Sequence, residues 1–142
     1  MNLKVMKKHL MKKKKSISKF KTELWKVFAL YIKKKYSDGE YCNCYTCDNP
    51  LKIGTSNCQC GHYYSKKGYP ALYFYEDNNR PQCFHCNISL SGNTQIFRER
   101  LIVEIGLEGV AELDNHRHDT IKWNRSDLVE KTEYYKHKIT EL

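Results

Sequence analysis

The 142-residue sequence contains no run of 18 or more apolar residues, which excludes a conventional membrane-spanning helix. Its basic N-terminus is not followed by an apolar h-region, so no secretory signal is expected. There are no internal repeats, and the only low-complexity segment is the run Lys12–Lys15. Acids are almost missing from the first quarter of the chain. Residues 1–36 hold 13 Lys against one Glu, a net of +12, whereas residues 37–142 hold 12 Lys plus Arg against 15 acids, a net of −3. The overall charge of +9 is thus confined to an N-terminal arm and one helix. Such confinement is the footprint of phosphate binding, although a solvated tail has the same composition. At 40% hydrophobic and 29% charged residues the remainder is globular, with length for one compact domain.

Seven cysteines without a secretory signal argue against a disulfide scaffold, and paired C-x-x-C spacings in a reducing compartment point to metal. Cys44-x-x-Cys47 and Cys83-x-x-Cys86 have the spacing of two knuckles closing a tetrahedral four-thiolate zinc site. The residues between them are enough for a finger. Cys42, Cys58 and Cys60 remain: each can replace a member of the quartet, or join His62 in a second site.

Residues 1–17 read as a flexible basic arm, because like charges repel and little can be buried. Residues 18–142 read as one domain, with a finger over 41–93 and a helical part over 94–142. Phe20, Leu24, Val27, Phe28 and Tyr31 fall on one face of a helix from Ser18, its N-cap, to Tyr36. Trp25, Ile32 and Tyr36 lie off that stripe as a second packing edge. The alternation of Ala71–Tyr75 predicts a half-buried strand, and a short helix is expected over Phe84–Ser91, stopped by Gly92. Helices are expected over Thr94–Ile105, ended by Gly106, then from Glu108 to Asp114, and from Ser126 to the end.

Between the knuckles, His62 follows Gly61, Asn78 stands 16 residues further on, and Asn87 directly follows Cys86. This order is similar to the HNH nuclease layout, a ββα-metal finger. In such a site a neutral imidazole takes a proton from the attacking water, and a divalent cation neutralises the scissile phosphate. Here His62 is the expected base, Asn78 the anchor of its loop and Asn87 a ligand of the catalytic cation. HNH sites commonly carry a metal-binding residue just before the base. In this chain that position is Gly61, so Glu76, His116 and His118 are further candidates. Lys12, Lys13, Lys14, Lys15, Lys33, Lys34 and Lys35 are the expected DNA contacts.

The sequence resembles the NinG/Rap family of phage recombination endonucleases. Trp25, Cys44-x-x-Cys47, Gly61-His62-Tyr63 and Phe74-x-Glu76-x-Asn78 carry the likeness, with Gln82-Cys83-x-x-Cys86-Asn87, Ser91-Gly92-Asn93, FRERLIVEIGLEGV and Asn115-His116-Arg117-His118. It covers about residues 18–142. It implies a bacteriophage enzyme in the host cytoplasm, with structural Zn²⁺ and catalytic Mg²⁺ or Mn²⁺. The implied substrate is branched DNA, such as Holliday junctions or D-loops. A homodimer and contacts with phage recombination proteins are further expectations, the dimer to be tested by symmetric junction cutting, and no membrane role is expected. The expected fold is α+β, a zinc-stapled ββα-metal (HNH/treble-clef-like) core flanked by helices. Two other classes compete: a zinc-containing DNA-binding module without catalysis, and a protein–protein adaptor whose cysteines only stabilise a small fold.

Overall fold

No residue before Gly39 is a glycine or a proline, so nothing in the N-terminal sequence interrupts a helix. In the structure, a computed structural model describing residues 2–142, helix α1 accordingly runs from Leu3 to Lys35. Asn2 caps it, its side-chain oxygen accepting from the Lys4 amide at 3.1 Å. The helix therefore starts well before Ser18. That residue is interior, its carbonyl accepting the Thr22 hydroxyl at 3.0 Å. Good helix formers outweigh lysine repulsion, which costs a few tenths of a kcal/mol per close pair. The side chains of 11–16, including Lys12, Lys13, Lys14 and Lys15, lie outside the described residues.

The second half of α1 is the spine of the body. Leu24, Phe28, Tyr31 and Ile32 are buried with Cys60, Phe74, Leu128 and Tyr135. Phe28 meets Tyr135 edge-on at 5.0 Å and Phe74 at 5.8 Å. Through these rings the C-terminal helix α3 (Arg125–Thr140), capped by Asn124, lies along α1.

Two small antiparallel sheets carry the cysteines. Strands β1 (Tyr41–Asn43) and β2 (Pro50–Lys52) pair across the first knuckle. Strand β3 (Gln59–His62) pairs with β4 (Asn79–Gln82), setting Gly61 opposite Arg80 and His62 opposite Asn79. The strand expected over Ala71–Tyr75 is not formed. Pro70 opens a 3-10 turn, Pro70–Leu72, and the amides of Tyr73 and Tyr75 bond three residues back, to Pro70 and Leu72. With those donors satisfied locally, no ladder is needed. Leu72 and Phe74 are buried in different clusters.

The actual partner strand, Asn-Arg-Pro-Gln, is polar and fully buried. It is stabilised by side-chain bonds: Arg80 forks onto Glu104 at 3.1 and 3.2 Å. After Cys83 the expected short helix takes the form of a π-helical turn, His85–Ser89.

Helix α2 (Thr94–His116) is broken at Gly106, whose φ of 75° and ψ of 171° suit glycine alone. The break separates a half carrying Phe97 and Leu101 from one carrying Val110 and Leu113. All four close a second core over Leu72. Among the described residues the architecture is α+β: three α-helices around two two-stranded sheets. Among the described residues no helix is long and apolar enough to cross a membrane.

Candidate metal centre and histidine recess

The β1–β2 hairpin presents Cys44 and Cys47, and the end of β4 presents Cys83 and Cys86. The four sulfurs lie within 4.8 Å of one another. Cys47 and Cys83 sulfurs are 3.8 Å apart. A tetrahedral zinc–sulfur distance of about 2.3 Å demands a sulfur–sulfur edge of about 3.8 Å. The donor set therefore fits zinc. Local donors reach the sulfurs, while burial pushes the Cys47 thiol up to about 12 and raises that of Cys83. The Cys86 backbone N–H donates to Cys83 Sγ at 3.4 Å, and the Asn93 side-chain Nδ2 donates to Cys86 Sγ at 3.9 Å. Burial alone would raise the Cys44 thiol, but hydrogen bonds at Cys83 and Thr46 outweigh it and bring it down to about 7. These four cysteines can hold a structural metal ion such as zinc.

The other three thiols are not part of the converging quartet, although Cys42 and Cys58 pack in the same buried cluster as Cys44, Cys83 and Cys86. Cys42 and Cys58 sulfurs face each other at 3.7 Å, and burial pushes the Cys42 thiol up to about 12. Cys60 is buried in the α1 core with its sulfur toward Asn79. Among the described residues, only the quartet converges as three or more potential metal ligands, so no second site forms from Cys58, Cys60 and His62.

His62 ends β3. Its Nε2 lies 3.0 Å from the Tyr73 carbonyl oxygen. A carbonyl can only accept, so Nε2 carries the hydrogen and Nδ1 keeps its lone pair. The ring stacks on Trp25 at 5.0 Å and meets Tyr73 edge-on at 5.4 Å. Burial lowers its pKa to about 4, with Lys66 adding to the effect. The imidazole is therefore neutral near pH 7. It lines two adjoining recesses of about 330 and 460 Å³. Tyr63, Tyr64 and Tyr69 wall the first; Lys66, Asn87 and Gly92 are in the second; Ser65 and Ser91 border both.

Asn78 is completely buried. Its side-chain oxygen accepts from the Tyr64 amide at 2.8 Å, and its nitrogen donates to the carbonyls of Tyr64 (3.0 Å) and Leu72 (3.1 Å). It thereby ties together both ends of the loop that follows His62. Asn87 donates to Gln59 Oε1 at 3.0 Å and reaches the larger recess.

The remaining candidates are placed elsewhere. The Glu76 carboxylate accepts from Tyr31 (3.3 Å), Tyr135 (3.2 Å) and Lys35 (3.3 Å), which fixes it between α1 and α3. His116 pairs with Asp119 at 2.6 Å on the surface. His118 packs on Tyr69 at the rim of the smaller recess. Neither recess has an aspartate or glutamate in its lining. A ligand cannot come from position 61 either. The buried Gln82 fills that space, its Oε1 only 1.8 Å from where a Cβ would stand. Magnesium and manganese favour carboxylate oxygens. The recess therefore does not fit a divalent cation held by the protein itself.

Of the helix lysines, Lys35 is paired with Glu76, and the Lys33 ammonium reaches the Cys58 carbonyl at 3.5 Å. Lys34 is half-buried at the end of α1. Lys66, which no motif singles out, lies in the His62 recess with its ammonium 3.7 Å from the Trp25 ring centroid. In the sequence it stands four residues after His62, in the pair Lys66-Lys67.

A cysteine quartet beside a neutral, stacked histidine on a small α+β frame defines a compact protein with a four-thiolate centre that can hold metal. The chain belongs to the family described as Bacteriophage Lambda NinG protein, which matches residues 2–142. It is 31% identical to protein ninG of Escherichia phage lambda over 90 residues, 63% of this chain and 44% of that protein. It is 34% identical to protein ninG of Enterobacteria phage H19B over 77 residues, 54% of this chain and 38% of that protein. With protein ninG of Salmonella phage P22 it shares 30% over 90 residues, 63% of this chain and 44% of that protein. The matched stretch thus spans less than half the length of these curated relatives. No solved structure matches the chain.

Proposed function

We propose that this protein is a DNA endonuclease that hydrolyses phosphodiesters with His62 as general base. One observation carries the reading: Nε2–H is pinned to the Tyr73 carbonyl, leaving Nδ1 basic on a neutral ring beside two open recesses. In this reading Nδ1 removes a proton from water as its oxygen attacks phosphorus. The P–O3′ bond breaks and leaves 5′-phosphate and 3′-hydroxyl ends. A base with a pKa near 4 is weak, but a phosphate anion entering the recess raises it toward the working range. Asn78 holds the loop beyond the base, and the cysteine quartet anchors both knuckles. Lysines of α1 grip DNA phosphates. Preference for branched recombination DNA rests on the resemblance to NinG/Rap endonucleases. We assign no step to Mg²⁺ or Mn²⁺, because the recess offers no carboxylate to hold it.

The test is His62→Ala on one preparation, with zinc content, melting temperature and four-way-junction nicking all measured. Zinc, fold and DNA affinity are retained, while nicking falls about 10²–10⁴-fold, the usual contribution of a general base. Undiminished nicking in a zinc-loaded variant would remove His62 from the role.

The acid-free recess favours a second reading, a zinc-containing DNA-binding module without catalysis. It requires that the wild-type protein bind junctions yet leave them intact with either magnesium or manganese present.

A further inference from the structure

Resting on the reading of the His62 recess as a phosphodiester site, we infer that Lys66 contacts the scissile phosphate there and stabilises the charge that builds on it. Several cations around this body are matched with acids, whereas Arg125 and Lys131, like Lys66, lie over aromatic rings. Lys35 pairs with Glu76, Arg80 with Glu104, Arg98 with Asp114 and Arg100 with Asp48. Lys66 forms no such pair among the described residues. Its ammonium lies over aromatic rings, 3.7 Å from the centroid of Trp25 and 5.3 Å from that of Tyr73. Those are the two rings against which His62 packs. The base and the cation therefore share one aromatic wall and one recess, with Asn87 beside them.

A ring face draws an ammonium without offering it an oxygen acceptor, so the three N–H donors stay available. Half-burial without a counter-charge is costly, and burial lowers the lysine's pKa. An anion in the recess removes that cost. With no carboxylate in the lining, nothing of the protein's own competes for the ammonium or repels the phosphate.

During the reaction the water oxygen bonds to phosphorus and its proton goes to His62 Nδ1. The P–O3′ electron pair leaves with O3′, which takes a proton from solvent, and the imidazolium returns its own proton to solvent. Lys66 remains an ammonium ion throughout, donating to a non-bridging oxygen as negative charge grows there. Its cation also disfavours a proton on His62 before substrate arrives.

The experiment uses the full zinc-loaded chain in two measurements. In a Trp123→Phe background Trp25 is the only indole, and its emission is followed while inorganic phosphate is titrated. A saturable change is expected, and Lys66→Gln abolishes it without altering zinc content or melting temperature. On junction DNA, Lys66→Gln binds within about threefold of wild type, because α1 supplies most phosphate contacts. It cleaves about 10²–10³-fold more slowly, as on removal of an oxyanion donor. Lys66→Arg recovers most of the rate. Full-rate cleavage by Lys66→Gln, or a phosphate response that survives it, overturns the assignment. A Lys66-dependent phosphate response in a protein that cuts no DNA instead overturns the nuclease reading and keeps the anion site.

Discussion

The behaviour of His62 with pH follows from its burial. The folded protein holds this ring neutral down to about pH 4, whereas an unfolded histidine takes up a proton near 6.5. Between those values the unfolded chain binds more protons, so acid favours unfolding there. The contribution is complete above pH 6.5 and is lost progressively as pH falls to about 4. It amounts to about 3 kcal/mol if the whole shift is expressed. The difference in unfolding free energy between wild type and His62→Gln should therefore slope across pH 6.5 to 4 and be flat from 7 to 8. A flat difference throughout would mean that the ring titrates normally in the fold. The ingredients of this behaviour are only partly legible in the sequence. His62 stands out because it lies between two knuckles, but Trp25, which stacks on it, belongs to another element 37 positions away. Lys66 is hidden for a similar reason: its partner is an aromatic face, which leaves no spacing signature.

Among the elements, short-range signals are the readable ones. Both C-x-x-C knuckles and the break at Gly106 depend on residues within a few positions, and the structure has them where the spacing puts them. Strand β4 is illegible because its polar side chains bond distant groups: Arg80 bonds Glu104, and the Gln82 amide nitrogen donates to Thr46 and the Gly92 carbonyl. Read locally, Asn-Arg-Pro-Gln is a loop. The reach of α1 is obscured because a lysine-rich segment looks like repulsive coil, although lysine itself is a good helix former.

Two outcomes belong to this scale. Cys83→Ser should release zinc and unfold the finger together, since metal affinity is folding free energy at such a centre. Cys42→Ser, outside the quartet, should keep its metal. Zinc content and circular dichroism on both variants check this, and equal metal loss would overturn the ligand assignment. Gly106→Ala should cost about 1–3 kcal/mol in urea denaturation. A Cβ there meets no neighbour, so the penalty is one of backbone conformation alone.

At the scale of the whole molecule, charge and shape are divided between two parts. The body beyond residue 36 is slightly acidic, and the basic charge lies on α1, which continues well past the core it builds. Deleting residues 2–16 should weaken binding to duplex, single-strand and junction DNA alike. The slope of log affinity against log salt should flatten by about 0.9 for each duplex phosphate that the shortened protein no longer neutralises. An unchanged slope would make this segment a spectator. The helical continuity of α1 has a spatial consequence as well. From Trp25, against the histidine, to Lys4 there are 21 residues, about 30 Å of helix at 1.5 Å per residue. Along a duplex rising 3.4 Å per base pair, that is about nine base pairs. Helix α1 is then a ruler: protection from hydroxyl radicals should run about nine base pairs to one side of the nick, and the truncated protein should leave a short, symmetric footprint around it.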